Sequence, residues 1–209
     1  FVQMSAIGAD PESESHYAST KGAGEQGVND AFSGATILRP SVVFGPEDDF
    51  FNKFAAMARL APALPLIGGG HTKFQPVYVG DVADAVAAVC MDAGKFGATY
   101  ELGGPNVYSF KQLMEITLAE TGRNRALVPV PFPIAQAQAA VAELAFAVPT
   151  ALNLGPTAPI TRDQVRLLRN DNIVTGDCPG LDDLGIDATA LESIVPTYLQ
   201  RYRRGVWHT

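Results

Sequence analysis

At 209 residues, with 47% apolar and 18% charged side chains, the chain is long and apolar enough to bury a full core and is not a disordered tract. A formal net charge of −7 argues against the Lys- and Arg-rich surface from which nucleic-acid binders draw their affinity, so no nucleic-acid partner is expected. No run of about 20 apolar residues could span a bilayer, and Cys90, Cys178, His16, His71 and His208 lie too far apart for a metal site.

In chain order, residues 1–4 read as a strand that leads into Ser5. Residues 13–31 read as a helix with Ser13 as its N-cap, closed by Ser33 and Gly34. Residues 35–39 form a short apolar strand ended by Pro40, which has no N–H to give to a ladder. Residues 50–60 are helical, with Phe50, Phe51 and Phe54 making one apolar face. Gly68, Gly69 and Gly70 are followed by a strand-like run rather than a helix, which marks a loop and not a phosphate cradle.

Val77, Tyr78 and Val79 form a short strand, Asp81 is placed to cap a helix over 82–91, and Asp84 faces solvent. Cys90 continues the run Val86, Ala87, Ala88, Val89 and reads as a small core residue. The character changes with the strand at 99–105 and the helix at 109–120, which Ser109 caps. An extended run follows at 126–131, broken by prolines. Residues 133–148 make an Ala-rich amphipathic helix with apolar positions at 134, 141, 144, 145 and 148, while Gln136 and Glu143 share another face. Packing on the rest of the small domain is its simplest role, and docking of a large partner is the sharper one. Residues 149–187 are punctuated by Pro and Gly, with one helical stretch near 162–169. A last helix over 191–203 has a basic end at Arg201, Arg203 and Arg204 that suits its dipole.

The chemistry concentrates near the start. Tyr17 and Lys21 are four residues apart and therefore neighbours on one helix face. A phenol with a pKa near 10 is a poor base at neutral pH, and an adjacent ammonium is what would lower it. The hydroxyl of Ser5 could hold an oxygen that gains or loses a proton, which makes an acid–base site of the kind hydride transfer requires. A tyrosine and a lysine sharing a surface helix face is the commoner origin of such spacing, and it is the preceding strand and serine that favour a site.

That order of strand, serine, tyrosine and lysine resembles the short-chain dehydrogenase/reductase superfamily, including its extended branch of epimerases and dehydratases. The segment Leu38-Arg39-Pro40-Ser41-Val42-Val43-Phe44-Gly45-Pro46 is similar to the strand and loop beneath the nicotinamide in that branch, and Gln75 to Ala85 to its short strand and following helix. Within the branch, Phe44 to Ala55 and Lys73 to Val79 most resemble the alpha-subcomplex subunit 9 family of respiratory complex I. Gly80 stands where sugar-nucleotide epimerases carry an aspartate, which weakens the epimerase reading.

The resemblance implies a doubly wound parallel α/β sheet of Rossmann type. Residues 1–103 would be the C-terminal portion of a dinucleotide-binding domain, and 104–209 a smaller α/β substrate or docking domain. Because Phe1 is no initiator and no Gly-rich turn precedes the first strand, the chain is expected to be the C-terminal portion of a longer protein. The implied catalytic residues are Ser5, Tyr17 and Lys21, and the implied cofactor contacts are Tyr17, Lys21, Pro40, Ser41, Val42 and Val43. The cofactor would be NAD or NADP, a choice left open because the segment that meets the adenosine 2′ position is expected before residue 1.

Three functions follow from the resemblance. The first is an NAD(P)H-binding accessory or assembly subunit of complex I, cytoplasmic or peripheral on the inner face of a respiratory membrane. The second is a working NAD(P)-dependent oxidoreductase, epimerase or dehydratase, and the third is a sensor that binds NAD(P)H and regulates a partner. Tyr-x-x-x-Lys alone does not separate them.

Overall fold

Parallel strands cannot be closed by a tight turn, so a chain that pairs two of them must cross over between, usually through a helix. The computed structural model, which describes residues 1–151 and 160–203, begins with such a unit. Strand β1 (Val2–Met4) runs into helix α1 (His16–Ala31) and returns as β2 (Thr36–Pro40), parallel to β1 with Val2 opposite Thr36. The ladder continues beyond β1, since Ser5 N–H donates to Leu38 O at 2.7 Å and Ile7 N–H to Pro40 O at 3.0 Å.

Four further strands and two helices follow: β3 (Val43–Phe44), α2 (Phe51–Leu60), β4 (Ala63–Ile67), β5 (Lys73–Phe74), β6 (Val77–Tyr78) and α3 (Val79–Met91). The remainder comprises β7 (Thr99–Leu102), β8 (Tyr108–Ser109), α4 (Phe110–Glu120), β9 (Ala126–Val130), α5 (Phe132–Ala151), α6 (Arg162–Leu167) and α7 (Leu191–Leu199). Among the described residues the principal sheet has the order β1-β2-β7, all parallel. The pairs β3-β6 and β4-β9 are also parallel, and β5-β8 is antiparallel. This is the expected α/β class. Strand β7 is the third strand of the principal sheet, with Leu38 opposite Tyr100.

The largest core cluster draws on both sides of residue 103: Phe44, Phe51, Phe54 and Phe74 pack with Phe110, Leu113, Met114, Leu191 and Leu199. Its aromatic rings meet edge to face, Phe50 with Phe54 at 5.2 Å and Phe54 with Phe110 at 5.5 Å, an arrangement favoured by their quadrupoles. A second cluster fills the space between the principal sheet and α3, from Leu38, Val77, Val82, Ala85, Val89 and Leu102.

Several local expectations are corrected. Helix α1 starts at His16, so its N-cap is Ser15, which accepts from Ala18 N–H at 3.3 Å, while Ser13 instead accepts from Ser15 N–H. Helix α3 starts three residues earlier than expected, so Asp81 lies inside its first turn. Its buried carboxylate there takes the N–H and hydroxyl of Thr189, both at 2.7 Å. Cys90 is exposed, because the buried face of α3 is set by Val82, Ala85 and Val89 and leaves residue 90 outside it. The capping box of α4 at Ser109 and Gln112 is as expected from Ser109.

Helix α5 does pack on its neighbours, but not through its larger apolar side chains. Ala135 and Ala139 pack against Ile67 and Val165, whereas Ile134, Val141 and Leu144 are 52, 70 and 80% exposed. Gln136 and Glu143 do share a face, and it meets α6: Gln136 donates to Arg162 O, and Glu143 accepts from the Arg162 backbone and guanidinium. The side chain expected at 148, the stretch 152–159 and Arg204 lie outside the described residues. Arg203, instead of serving its own helix, donates at 2.7 Å to Glu120 O, the last residue of α4.

Gly22 sets the distance between α1 and the loop that leads into it. A Cβ there would run into the backbone nitrogen of Pro11 and the carbonyl carbon of Asp10, neither of which is a flexible side-chain end. Gly22→Ala is expected to destabilise the protein by about 1–3 kcal/mol, the usual cost of forcing an atom into a packed interior. Urea unfolding measures it, and a change within error would show that the loop can retreat.

Candidate functional site

Tyr17, Lys21 and Glu25 fall at i, i+4 and i+8 of α1 and so form one stripe along the face that meets β1 and β2. The upper part of the stripe holds the expected pair. The Lys21 ammonium lies 5.8 Å from the centre of the Tyr17 ring and donates to Met4 O, at the end of β1, at 3.3 Å. Tyr17 remains 46% exposed, and burial of its inner half pushes the phenol above its ordinary range.

Ser5 is used differently from the expectation. Its buried hydroxyl donates to Glu25 Oε1 in a short contact, and the same carboxylate receives Arg39 Nε at 2.9 Å and Nη2 at 2.6 Å. The hydrogen bond to Glu25 raises the Arg39 guanidinium further, against the burial that would lower it. Glu25 lies two turns beyond Tyr17, about 12 Å along the helix axis. The structure thus brings Lys21 to Tyr17 and Ser5 to Glu25. Sequence reasoning missed Glu25, although the continued i+4 spacing after Lys21 and an arginine inside an otherwise apolar strand were its signals.

The wall expected from Pro40 to Val43 is closed by Asn172. Asn172 Oδ1 accepts from Ser41 Oγ at 2.7 Å and from Val42 N–H at 2.9 Å, and its Nδ2 donates to Ile7 O at 3.4 Å. Pro40 O accepts from Ile7 N–H, and Val43 pairs with Val77 in the β3-β6 ladder. The Ser41 hydroxyl and Val42 amide are therefore engaged within the chain. Asn172 itself is bound by backbone to β5, through Asn172 N–H to Lys73 O at 2.8 Å and Gln75 N–H to Asn172 O at 3.0 Å.

A second distant residue meets the start of α1. Asp163 of α6 accepts from His16 N–H at 2.8 Å, Tyr17 N–H at 3.0 Å and Ser15 Oγ at 3.1 Å. Burial pushes its carboxyl up, but the Tyr17, His16 and Ser15 bonds together with the charge of Arg166 outweigh it and leave the group below its ordinary value. Gly80, at the position of the epimerase aspartate, lies against the Tyr78 ring, which leaves no room for a Cβ unless that ring moves. Among the described residues no group of three or more His, Cys, Asp or Glu side chains could hold a metal ion.

Residues 4–103 match the NAD dependent epimerase/dehydratase family. The NADH dehydrogenase [ubiquinone] 1 alpha subcomplex subunit 9, mitochondrial, of Arabidopsis thaliana is 38% identical over 208 residues, 98% of this chain and 51% of that protein. The Mus musculus protein of the same name is 34% identical over 209 residues, 99% of this chain and 52% of the relative. The chain thus spans about half the length of the curated relatives it matches. Among solved structures, the NAD complex of Thermus thermophilus UDP-glucose 4-epimerase superposes with a TM-score of 0.61 at 17% identity. The match covers 98% of this chain and 64% of that one, and it shows the shared Rossmann-type fold. Residues 4–103 thus belong to the NAD dependent epimerase/dehydratase family, and along nearly its whole length the chain is similar to the alpha subcomplex subunit 9 proteins of respiratory complex I.

Proposed function

We propose that this chain carries the ribose-contacting part of a nicotinamide-dinucleotide site in an accessory subunit of respiratory complex I, whose role is structural and not catalytic. The observation that supports binding over turnover is the commitment of the Ser5 hydroxyl to the Glu25–Arg39 pair, beside a Tyr17 phenol pushed up rather than down. A bound nicotinamide supplies or accepts a hydride at its ring. The residues here fit the ribose more than the ring: an ammonium has three donors, of which Lys21 spends one on Met4 O among the described residues, and Tyr17 offers a half-exposed neutral hydroxyl. Ser41 and Val42 are drawn instead to Asn172, so Tyr17 and Lys21 carry the proposal. The choice between NAD and NADP lies outside these residues.

The exposed stripe of Ile134, Val141 and Leu144 on α5 supports the assembly half of the reading, as an apolar surface offered to neighbouring subunits of the complex. Among the described residues no helix is long and apolar enough to cross a membrane, and we take the association with the respiratory membrane to be peripheral. An oxidoreductase is the second reading, favoured by the Lys21 ammonium beside the Tyr17 ring. It requires the phenol to ionise once substrate and cofactor have closed the site.

In the protein expressed from its complete coding sequence, Lys21→Ala is expected to weaken dinucleotide binding at least tenfold, because charged hydrogen bonds contribute about 1.5–3 kcal/mol. Tyr17→Phe should retain most of the affinity. Titration of NADPH and NADH by fluorescence reads both variants, and a turnover number that Tyr17→Phe abolishes would promote the enzyme. Blue-native separation of respiratory membranes with immunodetection is expected to find the protein in a large assembly. Recovery solely as a free soluble species would remove the accessory-subunit reading.

A further inference from the structure

Helix α6 and its neighbours hold the catalytic-type helix from the far end of the chain. Tyr17 is the second residue of α1, in the one turn whose N–H groups have no partner within the helix and which frays first. Three such donors are satisfied here by side chains. Ala18 N–H goes to Ser15 Oγ, and His16 and Tyr17 N–H go one to each oxygen of Asp163. Ser15 Oγ–H donates to the same carboxylate, so the cap residue and the two amides beyond it converge on one group that comes from 146 residues away.

The grip has a second point. Arg166, three residues after Asp163 and so on the same side of α6, donates to Glu14 O at 3.4 Å. Behind α6, Arg162 is fixed to Glu143 of α5 through its backbone N–H at 2.7 Å and its Nε at 2.8 Å. A negative group at a helix N-terminus is also favoured by the helix dipole. Position, charge and hydrogen-bond count thus agree in a contact made to residues 14–17, the entry and first residues of α1.

We propose that Asp163 is a positioning residue for the Tyr17–Lys21 site, acting by holding the first turn of α1 so that the Tyr17 ring and the Lys21 ammonium keep their placement against each other. The inference rests on the dinucleotide-site reading given above. It predicts that the affinity of the site depends on a residue that touches no ligand, and that this dependence runs through the Tyr17 turn. Asp163→Asn loses the charge and one acceptor oxygen, and the turn carrying Tyr17 loosens.

The test uses protein from the complete coding sequence and NADPH as probe, with NADH in parallel, reading dissociation constants by fluorescence and melting temperature by calorimetry. Asp163→Asn is expected to weaken binding about tenfold, roughly the effect of one charged hydrogen bond. Asp81→Asn is the control: its carboxylate ties down Thr189 through the same kind of contacts, far along the chain from Tyr17. It should lower the melting temperature and leave affinity within about twofold. In the double variant with Lys21→Ala, the Asp163→Asn effect is expected to shrink, since coupled residues depart from additivity.

Unchanged affinity in Asp163→Asn, with Lys21→Ala weakened, overturns the positioning role and leaves the site intact. Effects that multiply in the double variant, or an equal loss of affinity in Asp81→Asn, overturn it as well, since either marks a general loosening of the fold. Unchanged affinity in Lys21→Ala removes the site reading itself. If Asp163→Asn does not fold, Asp163→Glu keeps the charge but misplaces it. A wild-type affinity there overturns the proposal, and a severalfold loss supports it.

Discussion

Inside a protein a carboxylate holds its charge only if a cation and hydrogen-bond donors replace the water it has lost. Glu25 is 6% exposed, and its replacements come from both strands that α1 connects: Ser5 at the end of β1 and the Arg39 fork on β2. Removing one member of such a pair costs about 3–5 kcal/mol, because the other is then stranded. The pair therefore fixes more than a contact. It sets the rotation of α1 on the sheet, and since Tyr17 and Lys21 lie on the same stripe, it also sets which way they face.

The same arrangement accounts for the character of the site. An acid–base serine needs its hydroxyl aimed at a substrate oxygen, and here that hydroxyl serves an interior carboxylate. A base tyrosine needs its phenolate stabilised, and here burial opposes ionisation. Lys21 lies beside the ring and donates to Met4 O at the end of β1. Of the three residues implied by the resemblance, Tyr17 and Lys21 share one helix face and the third, Ser5, bonds the buried Glu25.

What could be seen in the sequence was what is local. The β1–α1–β2 unit, the Phe50–Phe54 face of α2 and the Ser109 cap each depend on residues within a few positions of one another, so period and capping chemistry reveal them. Asp81 looked like a cap because caps are the commonest local use of an aspartate before a helix. Its actual partner, Thr189, is 108 residues away. Cys90 looked buried because it follows an apolar run, but only the spacing of Val82, Ala85 and Val89 states which face of α3 is inside. Asn172 and Asp163 carry no local pattern at all, and so the candidate site was legible in its helix and illegible in its supports.

Those supports share a direction. Asn172 closes the loop between β2 and β3, Thr175 binds the buried Glu101 of β7, and Thr189 binds Asp81 of α3, so a returning segment fastens the sheet at three places. During synthesis this has a cost in time. Ser41 is made 131 residues before Asn172, an interval of roughly 7 to 26 seconds at ordinary elongation rates. For that interval the strands, the Tyr17 helix and their ion pair can assemble, while the Ser41 hydroxyl and Val42 amide wait for a partner still inside the ribosome. A truncated or stalled product would present β1, β2 and β7 with the Ser41–Val42 loop unfastened, a state that chaperones and proteases are able to tell from the finished one.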